Sequence, residues 1–181
     1  GFEAVGSAAH REAFRAMRRA GLTRVGTAPR PELGENPLFL GCHPFRTTQA
    51  SSPVDTKVAF GPWMAQRLGG EALVTPTDPE EGDIARAVDA ARGHSALVLG
   101  TYNAHVKRGQ LRLLAALAGL GLPMACVALR DPYDLAALPE NVYGLAAYEY
   151  NIESLDTVAQ ALTGAFVPAG KLPVPLEGGQ P

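Results

Sequence analysis

From residue 38 onward, short runs of apolar residues alternate with longer stretches in which apolar positions recur every three or four residues. A short run that is apolar at every position predicts a strand buried on both faces. A 3.6-residue recurrence predicts a helix with one buried stripe. Strands are thus expected over 38–42, 72–75, 96–101, 124–129 and 142–147, with a last short one over 172–176. Helices are expected over 53–68, 79–92, 108–120 and 152–163. The repeated strand-then-helix order predicts an α/β fold, doubly wound. Its mainly parallel sheet of five to six strands has helices on both faces, a flavodoxin-like three-layer sandwich.

Upstream, residues 8–20 place Ala9, Ala13, Phe14 and Met17 on one helical face, with Arg11, Arg15, Arg18 and Arg19 mostly elsewhere. The pattern is that of an outer helix with a solvated basic face. Residues 27–37 are rich in Pro and Gly and read as a loop or linker. Three helix starts repeat one device: Ser52, Asp78 and Asp131 each precede a proline, with an acid at Asp55, Glu81 and Asp134. In each, the first side chain is expected to cap the helix, proline to sit at its first position and the acid to reach back.

Composition narrows the partners. The chain has 181 residues, 46% of them hydrophobic and 19% charged, which suits one ordinary globular domain. The net charge of −2 argues against a nucleic-acid partner, because such binders carry a basic surplus. No apolar stretch approaches the roughly 20 residues that span a bilayer, so no membrane partner is expected. Cys42 and Cys126 both fall in apolar runs and read as small core side chains, neither a disulfide nor a metal pair. With no signal peptide at the start, this fits a reducing, cytoplasmic setting. The chain opens on Gly1 and not on methionine, as a fragment or a processed chain would.

In an open α/β sheet, ligands bind outside the carboxyl ends of the strands, near the point where strand order reverses. The polar residues after each strand are the candidates: His43, Phe45 and Arg46; Tyr102, Asn103, His105 and Lys107; Arg130, Asp131, Tyr133 and Asp134; Tyr148, Glu149, Tyr150 and Asn151. Each also has a structural role open to it. The histidines can be surface-loop residues, Asp131 and Asp134 capping groups, Tyr102 and Tyr148 packing for strand ends, and Asn103 a turn former. No G-x-S-x-G elbow, phosphate-binding glycine loop, H-E-x-x-H or zinc-spaced Cys/His set occurs. No cofactor and no metal is therefore expected.

The second half of the chain carries a resemblance. Gly100-Thr101-Tyr102-Asn103, Gln110, Ala128-Leu129-Arg130-Asp131-Pro132-Tyr133-Asp134-Leu135, Ala146-Ala147-Tyr148 and Pro168-Ala169-Gly170-Lys171-Leu172-Pro173-Val174 follow in order. As a set, over residues 97–174, they resemble the carboxyl-terminal domain of family 3 glycoside hydrolases, in the style of the β-N-acetylhexosaminidase branch. Residues 1–96 match only in element order. The resemblance implies a retaining enzyme that releases terminal N-acetylhexosamine. An amino-terminal (β/α)8 barrel would carry the aspartate nucleophile and a histidine–aspartate acid/base pair. No residue of this chain matches those motifs, so no catalytic residue is assigned here. Glu149 does not take over the acid/base role that the glucosidase branch places on this domain. Residues 1–36 would then be a leading helix and linker from the barrel, and 37–181 the sandwich domain. Its partners would be that barrel and a sugar at the domain interface. The rim candidates on the substrate side are His43, Arg46, Asn103, His105, Arg130, Tyr133 and Glu149. The alternative is a free-standing carbohydrate-binding or interaction module without catalysis. A nucleotide or flavin binder of the same architecture is a third reading, which the missing phosphate loop opposes.

Overall fold

The computed structural model describes residues 7–45 and 58–176. In chain order they form α1 (Ala8–Gly21), β1 (Thr23–Val25), β2 (Pro37–Gly41), α2 (Phe60–Leu68), β3 (Glu71–Val74) and α3 (Glu81–Ala91). Then come β4 (Ala96–Thr101), α4 (Gly109–Ala118), β5 (Met124–Ala128), a 3₁₀ turn (Pro132–Leu135), β6 (Val142–Ala146) and α5 (Ile152–Leu162). One six-stranded sheet runs β1-β6-β5-β4-β2-β3. All neighbours are parallel except β1, which pairs antiparallel with β6. Without β1, the five parallel strands follow the flavodoxin order, and the order reverses between β2 and β4.

Side-chain alternation along the strands feeds two cores. Phe39, Val98, Val127 and Leu145 meet Phe60 and Met64 of α2 and Leu155 and Val158 of α5. Leu38, Leu40, Leu97, Leu99 and Cys126 meet Ala87 and Ala91 of α3 and Leu113, Leu114 and Leu117 of α4. This is the expected helix–sheet–helix sandwich, and it explains why the central strands are almost wholly apolar, with every position buried. Each fully buried Leu or Phe contributes roughly 1.5–3 kcal/mol. Across β2 and β4, Gly41 faces Gly100 in register. A Cβ on Gly100 would fall 2.6 Å from the Phe60 ring. The glycine therefore admits the α2 aromatic onto the sheet where the strand order reverses.

Several expectations need correction. The sixth strand is not 172–176 but β1, from a segment to which no strand was assigned. Residues 172–176 lack strand structure because Pro173 and Pro175 remove alternate backbone donors. Leu172 and Leu176 still pack on the α3/α4 core. β3 is an edge strand, so Val74 is exposed and its run is not covered on both faces. The helix expected over 53–68 has residues 53–57 outside the described set, together with the Ser52 and Asp55 cap. Val58 and Ala59 precede it in extended form.

Asp78 does not cap α3. Glu80 does, in a reciprocal capping box with Asp83, and Asp78 Oδ1 accepts from Gly109 N at 2.8 Å instead. Asp131 does cap its turn, accepting from Tyr133 N at 3.1 Å, but Asp134 does not reach back. The apolar stripe of α1 stays uncovered: Phe14 is 58% and Met17 68% exposed. Its arginines hold it instead. Arg18 bonds Glu149 at 3.3 Å, and Arg19 bonds Gln160 at 2.7 Å and lies over the Phe166 ring.

Candidate functional site

The strand-end rim divides into three places. At the switch point, β2 runs into buried Cys42, exposed His43 and half-buried Phe45; Arg46 lies outside the described residues. Phe45 meets Tyr102 edge-on at 5.1 Å, and Tyr102 meets Tyr150 at 5.5 Å. The Arg130 guanidinium lies 5.8 Å over Tyr102 and donates to its hydroxyl at 3.4 Å. The Tyr150 hydroxyl accepts from Phe60 N at 2.6 Å and donates to the Cys42 carbonyl at 2.9 Å. Burial drives the Tyr150 phenol well above its usual range and pushes the Cys42 thiol up to about 12. Burial likewise raises Cys126, and the nearby Asp134 charge adds to it. Both thiols are thus protonated core groups and poor nucleophiles. Aromatic rings occupy this place among the described residues, and Tyr150 ties α2 to the end of β2.

Beyond β4 and β5 lies a second cluster. Gln110 clamps the turn after β4: its Oε1 accepts from Tyr102 N at 2.9 Å, and its Nε2 donates to the carbonyls of Thr77 and Tyr102. Asn103 takes a left-handed conformation, φ 54°, which asparagine tolerates better than most residues. Its carbonyl accepts from Val106 and Lys107, while its buried Nδ2 has no partner. The turn delivers His105 to Asp134 of the 3₁₀ turn. Asp134 is fully buried, and its Oδ1 accepts from His105 N at 3.0 Å and from His105 Nδ1 at 2.9 Å. Asp131 Oδ2 lies 3.9 Å from His105 Nε2, and the Tyr133 ring stands edge-on to the imidazole at 6.3 Å. Lys107 is apart from this group, 3.9 Å from Asp78.

The third place follows β6. Tyr148 has φ 62°, an uncommon value for a bulky residue, and its hydroxyl donates to Thr23 Oγ1 at 3.0 Å. Glu149 accepts from Arg18 and from Asn151 Nδ2, while Asn151 Oδ1 caps α5 through Ser154 N at 2.8 Å. Phe14, Met17 and Arg18 of α1, with Tyr148, Glu149 and Thr157, line an open cleft of about 240 Å³.

The rim thus brings Asn103, His105, Asp131, Tyr133 and Asp134 into one cluster and joins Arg130 to the aromatic crevice. Glu149 is tied to α1, and His43 stands exposed beyond β2. Residue-by-residue reading placed Asp134 among the strand-end candidates and gave it a capping role, but missed it as the partner of His105. It also treated Tyr150 as one rim residue among many. The available signal was that His105 and Asp134 follow adjacent strands. Among the described residues the rim carboxylates Asp131, Asp134 and Glu149 are engaged in a cap, a histidine pair and an ion pair. No group of three or more His, Cys, Asp or Glu side chains among the described residues is placed to hold a metal ion. No helix among them is long and apolar enough to cross a membrane.

Fold and rim together define an open α/β domain of flavodoxin order, built to present strand-end loops. No protein-family model and no curated protein sequence matches the chain. Solved structures do. A family 3 glycoside hydrolase, the β-N-acetylglucosaminidase from Paenibacillus sp. str. FPU-7, matches with TM-score 0.80 at 22% identity, over 94% of this chain and 33% of its own. A fungal multi-domain β-N-acetylglucosaminidase of the same family matches with TM-score 0.75 at 19% identity, over 97% of this chain and 20% of its own. A β-glucosidase from Listeria innocua, in complex with isofagomine, matches with TM-score 0.67 at 18% identity, over 93% of this chain and 27% of its own. At these identities the likeness is one of fold. The chain spans a third or less of each of these proteins.

Proposed function

We propose that this chain is the carboxyl-terminal accessory domain of a family 3 glycoside hydrolase. Its parent is read as a retaining β-N-acetylhexosaminidase that releases terminal N-acetylhexosamine. One observation carries the reading: almost the whole chain matches a minor part of several glycosidases of that family, among them two β-N-acetylglucosaminidases. The ordered motifs between Gly100 and Val174 support it independently, because they resemble the same domain. Asp134 is fully buried behind His105 and Glu149 is held in an ion pair with Arg18, which supports an accessory role. Retaining hydrolysis needs one carboxylate free to attack and a second group free to protonate the leaving oxygen.

In this reading a (β/α)8 barrel elsewhere in the polypeptide supplies both groups, and the strand-end rim packs near its sugar pocket. Residues 1–36 lead in from the barrel, although β1 within them also completes the sheet. The two buried free cysteines fit an enzyme of the cytoplasm. The test is the parent polypeptide, expressed from its whole reading frame. It should release N-acetylhexosamine from aryl N-acetyl-β-hexosaminides much faster than it cleaves aryl β-glucosides. A preference for glucosides would contradict the sugar. A reading frame without a barrel would contradict the accessory role.

A further inference from the structure

The rim contains one pairing that the fold does not require. The backbone bond from His105 N to Asp134 already pins the β4 loop to the 3₁₀ turn. The second bond, from the imidazole, orients a side chain. With Asp134 accepting at Oδ1, Nδ1 is the donor of this bond, and the neutral imidazole then presents its lone pair at Nε2. Nε2 and Asp131 Oδ2 lie 3.9 Å apart, too far to bond each other. The Asp131 cap uses Oδ1, so it leaves Oδ2 available.

Both side chains are about one-third exposed, 34% and 32%, and Tyr133 beside them is 40% exposed. Behind the imidazole, Asn103 holds a left-handed backbone, and Asn103 Nδ2 and Asp134 Oδ2 are buried polar atoms without partners. Strained backbone and unmet polar groups gather at functional sites more than in plain scaffold.

We propose that His105, Asp131 and Tyr133 form a sugar-binding subsite, with Asp134 as the positioning residue that holds the imidazole. Nε2 and Oδ2 accept from neighbouring hydroxyls of one sugar ring, and the exposed Tyr133 ring covers an apolar face of it. The proposal rests on the glycoside hydrolase reading for the identity of the sugar, an N-acetylhexosamine.

The test titrates the folded chain with N-acetylglucosamine and with N,N′-diacetylchitobiose while imidazole nitrogen and tyrosine ring resonances are recorded. His105 should be in the Nδ1–H tautomer, and sugar should move the His105 and Tyr133 signals. His105→Ala, Asp131→Asn and Tyr133→Ala should each weaken binding about tenfold, the scale of one good charge-assisted contact. Circular dichroism should be unchanged. Asp134→Asn keeps an acceptor at Oδ1 and should retain the tautomer and most of the binding; Asp134→Ala should lose both. Unmoved His105 and Tyr133 signals, or equal affinity in His105→Ala, overturn the subsite. A tautomer unchanged in Asp134→Ala overturns the positioning role. Hydrolysis by the parent with no sugar response at His105 removes the subsite and leaves the enzyme reading. A response at His105 with a parent that cleaves no hexosaminide does the reverse.

Discussion

Helices α1 and α5 carry the same kind of amphipathic pattern and meet opposite fates. Leu155, Val158, Ala161 and Leu162 of α5 are all fully buried against the sheet. α1 buries none of its residues: Phe14 and Met17 stay exposed along an open cleft, while Arg18 and Arg19 reach across to the body. Hydrophobic periodicity states that a stripe exists, and only the rest of the fold decides whether a surface is there to cover it. For α5 that surface is the sheet; α1 packs outside α5, and polar bonds fasten it.

The contrast makes quantitative claims. Leu155→Ala should cost about 2–5 kcal/mol of unfolding free energy, because it opens a cavity in a closed core. Denaturant titration would read this, and a loss below about 1 kcal/mol would mean that the α5 core is looser than described.

Next comes the alkaline limb of stability. Cys42 is raised from 9.0 to about 12, and burial also raises Cys126, Tyr143 and Tyr150. The folded chain therefore holds protons that the unfolded chain releases, so stability falls as pH rises through this window. The fall should begin near pH 9 with the thiols and deepen above pH 10 with the phenols. Cys42→Ala should flatten its first part, measured by urea midpoints across pH. A profile that is level to pH 11 would contradict the burial of these groups.

On the α1 side the effects shrink. Glu149→Gln weakens the pair with Arg18, which is partly exposed, and should cost about 0.2–1 kcal/mol, less at high salt. Amide hydrogen exchange should show α1 opening more readily while α5 is unchanged. Smallest of all, Phe14→Ala should change the stability of the chain by no more than about 0.5 kcal/mol. A loss comparable to Leu155→Ala would show that α1 is part of the core after all.

Much of the fold was legible because the four central strands are almost wholly apolar and buried at every position, and the helices between them keep a clean period. β4 lies at the residues expected for it, and β2, β5 and β6 differ by one or two positions. β1 was not legible. Thr23, Arg24 and Val25 are too few to show a period, and their pairing with β6 is set by a partner more than a hundred residues away. Leu172, Val174 and Leu176 mimic a strand by alternation, but the prolines between them cannot donate to a ladder.

At the rim, position was legible and pairing was not. His105 and Asp134 are 29 residues apart and meet because β4 and β5 are neighbours. The Asp-Pro start at Asp131 gave its own cap correctly, while Asp78 accepts from Gly109 N at the start of α4 and Glu80 and Asp83 close the box on α3.

The central claim is that this chain presents a scaffold and a rim, while the bond-breaking groups belong to another part of the proposed parent enzyme. The most direct measurement is turnover of an aryl N-acetyl-β-glucosaminide by the purified 181-residue chain, with circular dichroism to establish that it is folded. The account predicts a folded protein with no turnover above background. Turnover by this chain that a single substitution at Asp131, Asp134 or Glu149 abolishes would contradict it.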